Sequence, residues 1–212
     1  MTEKSEIFEV HYQDYCRKID QCDLGSAAEI LGMRVEGSGA WVRFLNRDYL
    51  VSGKGFQDDA GRRPGYGVCV ILAKYVLLCP DRVIHDPQWV GFRDFKKDAA
   101  MTNVNFFNSD AENALLKRFQ GHLDRFKNAC QSMKGVPYDT GAGYDLSMAF
   151  NLLPRIRLLL LFNDLDEGFP PKCRVLFEKH AEYYLDPESL AMCGVGLTRN
   201  LISADKEAGH ED

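Results

Sequence analysis

No two of the seven cysteines lie close together: they stand at 16, 22, 69, 79, 130, 173 and 193, and no C-x-x-C pair occurs. Structural zinc sites and iron–sulfur clusters are normally built on at least one such pair, so no thiol metal site is expected. Cys69, Cys79, Cys130 and Cys193 fall in apolar stretches, where reduced thiols pack as small hydrophobes, and this use of cysteine fits a reducing compartment. Basic blocks are missing too. The longest are Arg62-Arg63 and Lys96-Lys97, and 26 Lys+Arg against 31 Asp+Glu leave a net charge of -5. Nucleic-acid binding depends on clustered cations that release counterions, so nucleic acid is not expected as a partner. Apolar runs are short: Val68 to Cys79 is broken by Lys74 and Ile156 to Phe162 by Arg157, well under the roughly 20 residues of a membrane span. The opening Met1-Thr2-Glu3-Lys4-Ser5-Glu6 has no apolar region behind it, so no secretory signal is read there and a cytoplasmic protein without a membrane partner is expected.

What is present is ordinary globular material, 45% apolar and 27% charged over 212 residues. It predicts one α+β domain over residues 1–203 and a disordered polar tail over 204–212, with a mixed or antiparallel sheet flanked by helices. Phe8, Tyr12, Tyr15, Ile19 and Cys22 recur at helical spacing from about Ser5 to Cys22. Asp23 is placed to cap a helix from Leu24 to Leu31 that Gly32 ends. Apolar and β-branched residues from Met33 to Val51 predict a hairpin reversing at Gly37-Ser38-Gly39 and Asn46 to Asp48, and Ser52 to Gly67 reads as loop. Val68 to Cys79 reads as a buried helix stopped by Pro80, a strand being the alternative.

Ser109-Asp110-Ala111-Glu112 has capping-box spacing, and Leu115, Phe119, His122, Leu123, Phe126, Cys130 and Met133 follow on one face, predicting a long helix to Gly135 with His122 as a core residue. Arg155 to Phe162 reads as a central strand and Val175 to Leu185 as a helix. Asp186-Pro187-Glu188 starts a last helix with Leu190, Cys193, Leu197 and Leu201 inward. The order of elements over 23–86 returns over 125–202, suggesting two pseudo-repeated α-β-β-α halves that share one sheet, with any ligand between them.

Two places hold candidate chemistry. The apolar strand is followed by Asp164, Asp166 and Glu167, carboxylates at a sheet end that suit a hard cation or acid–base work; the plainer reading is turn chemistry with solvated acids. Trp89 and Arg93 place an indole near a guanidinium, suited to a planar or anionic ligand; a surface aromatic with a snorkelling arginine explains them equally. Asp139 to Asp145 is acidic and glycine-rich without calcium-loop spacing. Gly53-Lys54-Gly55 and Gly65-Tyr66-Gly67 match neither the P-loop nor the dinucleotide fingerprint. Histidines 11, 85, 122, 180 and 210 form no H-E-x-x-H, and no G-x-S-x-G elbow occurs.

Leu153-Pro154-Arg155, Phe162-Asn163-Asp164, Asp166-Glu167, Phe169-Pro170, Leu176-Phe177 and Tyr184-Leu185-Asp186 resemble the C-terminal signature of an uncharacterised domain-of-unknown-function family of anaerobic bacteria and archaea. Trp89-Val90-Gly91-Phe92-Arg93 and Asn105-Phe106-Phe107 are similar to its middle section, and the likeness runs from about Ala27 to Leu201. Gly168 here separates Glu167 from Phe169, where members commonly read acid-acid-Phe-Pro. The resemblance implies a cytosolic role in anaerobic redox or one-carbon metabolism, and the stand-alone form of a domain that some relatives join to an N-terminal iron–sulfur module. It implies no reaction and no particular cofactor.

These readings support, first, a non-catalytic binding or accessory protein holding a small anionic or planar ligand, or a redox partner protein. Its cleft would be lined by Trp89, Arg93, Asp145, Arg155, Asp164, Asp166 and Glu167. The alternatives are a divalent-metal enzyme acting through Asp164, Asp166 and Glu167 on a phosphorylated or acyl substrate, and a structural subunit. Oligomeric state and strand order are not assigned by the sequence.

Overall fold

A computed structural model describes residues 3–95, 107–166 and 168–209. Glu167 and Asn105-Phe106 lie outside the described residues. The fold is α+β with two sheets, both antiparallel throughout. Helices α1 (Glu3–Asp20) and α2 (Leu24–Leu31) lead into a four-stranded meander of β1 (Arg34–Glu36), β2 (Gly39–Phe44), β3 (Arg47–Ser52) and β4 (Gly55–Asp58), followed by α3 (Tyr66–Leu77). After β5 (Trp89–Gly91) come two short helices, α4 (Ala114–Phe119) and α5 (Leu123–Ser132), then β6 (Val136–Pro137), β7 (Leu146–Leu153), β8 (Ile156–Asn163), β9 (Lys172–Glu178) and α6 (Pro187–Glu207). The second sheet has the order β5-β9-β8-β7-β6, with β8 at its centre. A helix, four strands and a helix thus occur twice in sequence. The halves do not share one sheet, contrary to the repeat expected from the sequence; each keeps its own, and one apolar core joins them.

Local chemistry explains the elements that match expectation. Asp23 accepts from the backbone N–H of Gly25 and Ser26, and Gly32 ends α2 at φ +70°, where a residue without Cβ carries little strain. The Asp186 side chain accepts from Ser189 N–H, with Pro187 in the first turn of α6. Leu190, Cys193, Leu197 and Leu201 are fully buried on its inner stripe. The turn between β2 and β3 contains Leu45 at φ 53°, a conformation that usually takes glycine. Its buried side chain and its N–H bond to Leu152 O (2.8 Å) hold it there and link the two sheets.

Four expectations are corrected. Gly55–Asp58 is a strand, because Phe56 turns into the core and donates its N–H to Tyr12 Oη at 2.9 Å. The long helix is broken. It begins as a π-helical turn over Asn108–Asn113 without a capping side chain at Phe107, and it stops again before Gly121, at φ +74°. Gly121 N–H is spent on Asp164 Oδ1 (2.6 Å), and His122, expected in the core, is exposed. Phe119 and Phe126 stack across this break with ring centroids 4.1 Å apart. Val175 to Leu185 is the end of β9 and then a 3₁₀ turn, Lys179–Tyr183. Cys173, Val175 and Phe177 point inward with Arg174 and Leu176 outward, a period of two that the apolar run disguises. Finally, the tail is ordered through the end of α6: Asp205 is 1% exposed and lies among arginines.

Candidate functional site

The acidic end of β8 is a knot of backbone bonds. Asp145 Oδ2 accepts from Asp164 N–H at 2.7 Å, and Asp145 N–H donates to Asn163 Oδ1 at 3.3 Å. Asp164 Oδ1 takes the N–H groups of Gly121 (2.6 Å) and Leu165 (2.8 Å). Asp166 is exposed and forms an isolated antiparallel bridge with Phe169. The structure therefore brings Asp145 and Asp164 together and uses their lone pairs to tie the α4–α5 break to the sheet end. Among the described residues, no group of three or more His, Cys, Asp and Glu side chains is placed to hold a metal ion.

Arg155 sits at the other end of the same strand. Arg155 and Asp164 flank the eight residues of β8 and so stand nine steps, roughly 30 Å, apart at about 3.3 Å per residue. The shared hollow expected for them does not form. Arg155 instead completes the C-terminus of α2: its Nε donates to Ile30 O (2.8 Å) and its Nη2 to Glu29 O (3.1 Å). Tyr75 Oη donates to Leu31 O (2.7 Å) and Met33 N–H to Ala28 O (2.8 Å), so the last four carbonyls of α2 all have donors.

Trp89 is half-buried on edge strand β5 and meets Tyr138 edge-on at 5.5 Å. With Tyr144 and Leu176 it packs over Ala149, Leu159 and Leu161 on the outer face of the second sheet. The guanidinium that faces its ring belongs to Arg157, at 5.5 Å. Arg157 in turn donates to the buried Glu178 carboxylate through Nε (2.8 Å) and Nη2 (2.6 Å). Arg93 is exposed on a single 3₁₀ turn, Phe92–Phe95, whose phenylalanines anchor it inward. It adds to the positive field on Glu112, whose carboxyl burial pushes up although Val175 N–H, Arg174 and Arg93 work against that. The expected site residues thus fall into three separate places: the Asp145–Asp164 knot, the Arg155 cap and the β5 edge.

A different hollow is formed by α3 and α6. It encloses about 570 Å³ between Val68 and Ile71 of α3, Met192 and Val195 of α6, and Phe44 of β2, with Arg199 and Asn200 at its polar side. Gly65, Gly67 and Gly196 keep its walls free of side chains. Gly65, the N-cap of α3, has no side chain to accept from the first turn. Arg199 is exposed and has no acidic partner among the described residues. A neighbouring hollow of about 420 Å³ shares Phe44, Val68 and Asn200 and continues toward Met133.

Residues 23–200 match the family described as Domain of unknown function (DUF3786). The chain belongs to this family. No curated protein and no solved structure matches it. The DUF3786 match spans α2, both sheets, α3 and the part of α6 that faces α3, so it includes every residue around the α3–α6 hollow. It stops short of Asp205. No helix among the described residues is long and apolar enough to cross a membrane.

Sequence reasoning found Gly65-Tyr66-Gly67 only as a failed phosphate loop and missed Met192, Arg199 and Gly196 altogether. The two walls are about 130 positions apart, and neither carries a recognisable motif by itself. The one available signal is Gly196, an unexplained glycine inside a strongly patterned helix.

Proposed function

We propose that this DUF3786 protein binds a small amphipathic anion without transforming it, as an accessory protein rather than an enzyme. The apolar body of the ligand lies between α3 and α6, and its acidic head meets Arg199 and the first turn of α3. One observation carries this reading: an apolar hollow of about 570 Å³ is flanked by a cation that has no protein counter-charge among the described residues. Ligand sites are concave and mainly apolar, with few converging polar groups, and this is the described hollow that best fits that pattern. Its lining offers tyrosine, asparagine and arginine but no carboxylate, histidine or cysteine, so it supplies no general base or nucleophile at neutral pH. All seven cysteines are free thiols, which supports a reducing, cytoplasmic setting.

The test is a melting series with butanoate, octanoate and dodecanoate, with octanol as the uncharged control. Octanoate is expected to stabilise the protein more than either butanoate or octanol. At 100 times its Kd the gain is about 2.7 kcal/mol. Arg199→Gln should remove most of the difference between octanoate and octanol. Equal responses to acid and alcohol, or no response to any of them, would refute the proposal.

A further inference from the structure

The outer face of the first sheet carries a second cleft, of about 500 Å³, where Arg34, Trp41, Arg43 and Asp48 face Asn151 and the Leu153-Pro154 turn of the β7–β8 hairpin. It shares no lining residue with the α3–α6 hollow. Register explains the grouping: Arg34 pairs with Trp41 across β1 and β2, and Arg43 with Asp48 across β2 and β3, so all four project from the same face. The Arg34 guanidinium lies 5.9 Å from the centre of the Trp41 ring. Arg43 donates to Asp48 from Nε (2.8 Å) and Nη2 (2.6 Å), and Arg34 donates once to Glu36 (2.9 Å). A guanidinium has five donors, so both arginines keep some in reserve. The Arg34–Glu36 pair is exposed on both sides, and such solvent-screened pairs hold weakly, so Arg34 turns to another anion at small cost.

Two further observations point to a ligand. Trp41 Nε1 is shut off from solvent and has no hydrogen-bond partner, a rare condition for an indole donor. The field is also positive: hydrogen bonding by Arg43, and then the charges of Arg43, Arg34 and Lys134, hold the Asp48 carboxyl below the usual carboxylate range although its partial burial works the other way. Three cations, Arg43, Arg34 and Lys134, thus act on Asp48.

We infer that this cleft is a separate binding site for a planar aromatic carboxylate, with the ring against Trp41 and the carboxylate between Arg34 and Arg43. The flat ring takes the place of water over the indole, and the guanidinium forks match the carboxylate.

The protein has two tryptophans, so ¹⁵N-labelled protein gives two indole N–H signals, and Trp89→Phe assigns them. Titration with benzoate should move the Trp41 signal saturably and leave that of Trp89 in place. Cyclohexanecarboxylate, charged but not flat, and benzamide, flat but uncharged, should each bind about tenfold more weakly, and so should benzoate to Arg34→Gln or Arg43→Gln. The remaining amide spectrum reports whether each variant is folded. Arg199→Gln should leave the Trp41 response unchanged, which separates this site from the α3–α6 hollow. An unmoved Trp41 signal, equal binding of the three compounds, or loss of the response in Arg199→Gln would overturn the inference.

Discussion

Asp164 and Asp205 are both aspartates at the end of a secondary-structure element, and they do opposite work. Asp164, in the acid-rich segment that draws attention in the sequence, accepts two backbone N–H bonds at the rim of the second sheet. Asp205, in what reads as a polar tail, has a fully buried side chain that receives Arg118 Nε (2.8 Å) and Nη2 (2.7 Å) and Arg125 Nη2 (2.6 Å). It ties α4 and α5 to α6. A density of acids marks where a chain turns in water; a single acid on an apolar stripe marks where charge is buried and must be matched.

The largest expected effect tests that contrast. Asp205→Ala removes the buried acid that Arg118 and Arg125 share, and removing one partner of a buried ion pair costs about 3–5 kcal/mol. Asp164→Ala loses hydrogen bonds at a half-exposed rim, worth about 0.5–1.5 kcal/mol each. Urea denaturation of the two variants should show this order, and the reverse order would break the comparison.

Two glycines of α6 sharpen it further. A Cβ at Gly194 would lie 2.3 Å from Phe107 Cε2, whereas one at Gly196 would meet only Phe44 Cζ at 3.7 Å. Gly194→Ala should therefore destabilise by about 1–3 kcal/mol through overpacking. Gly196→Ala should stabilise by about 0.5–1 kcal/mol, as alanine does in a helix interior. Equal effects at the two positions would mean that α6 is not seated as described.

A smaller effect concerns pH. Burial raises the Asp205 carboxyl, but hydrogen bonds and charge from Arg125 and Arg118 outweigh it and hold its pKa below the ordinary value. A carboxyl lowered in the folded state adds stability that is present above its unfolded pKa, about 3.9, and fades as pH falls through the folded value. Glu112 has the opposite sign: burial raises its pKa, so its contribution weakens folding as pH rises from its unfolded value through its folded one. Between pH 5 and pH 3, Asp205→Asn should lose less stability than the wild type and Glu112→Gln should lose more. Parallel curves for all three proteins would contradict these assignments.

Where neighbours in sequence set the structure, the chain could be read directly. The caps of α2 at Asp23 and Gly32, the stop of α3 before Pro80, the central place of β8 and the start of α6 at Asp186 all follow from local chemistry. Asp205 was legible in principle, since it continues the four-residue step from Leu197 and Leu201. Its charge made that step look like the end of the helix. The helix break at Gly121 was hidden because Phe119, Leu123 and Phe126 keep helical spacing on both sides of it. Strand β9 was hidden because Val175, Leu176 and Phe177 satisfy either period.

The candidate site was the least readable part. Arg155 has the chemistry of a ligand-binding arginine, yet the carbonyls it serves belong to α2, some 125 positions earlier. Cavities arise from packing between distant elements, and the residues around the α3–α6 hollow are mostly apolar or glycine, with no pattern of their own.

Met192 gives the most direct report on whether that hollow binds the proposed ligand. Its Cε lies 3.4 Å from where a Cβ on Gly67 would stand, inside the space the ligand is to occupy. In protein labelled with ¹³C at the methionine methyls, titration with octanoate should move the Met192 signal first and saturably, with the affinity reduced about tenfold or more in Arg199→Gln. A Met192 signal that stays fixed while octanoate reaches millimolar concentration would contradict the account.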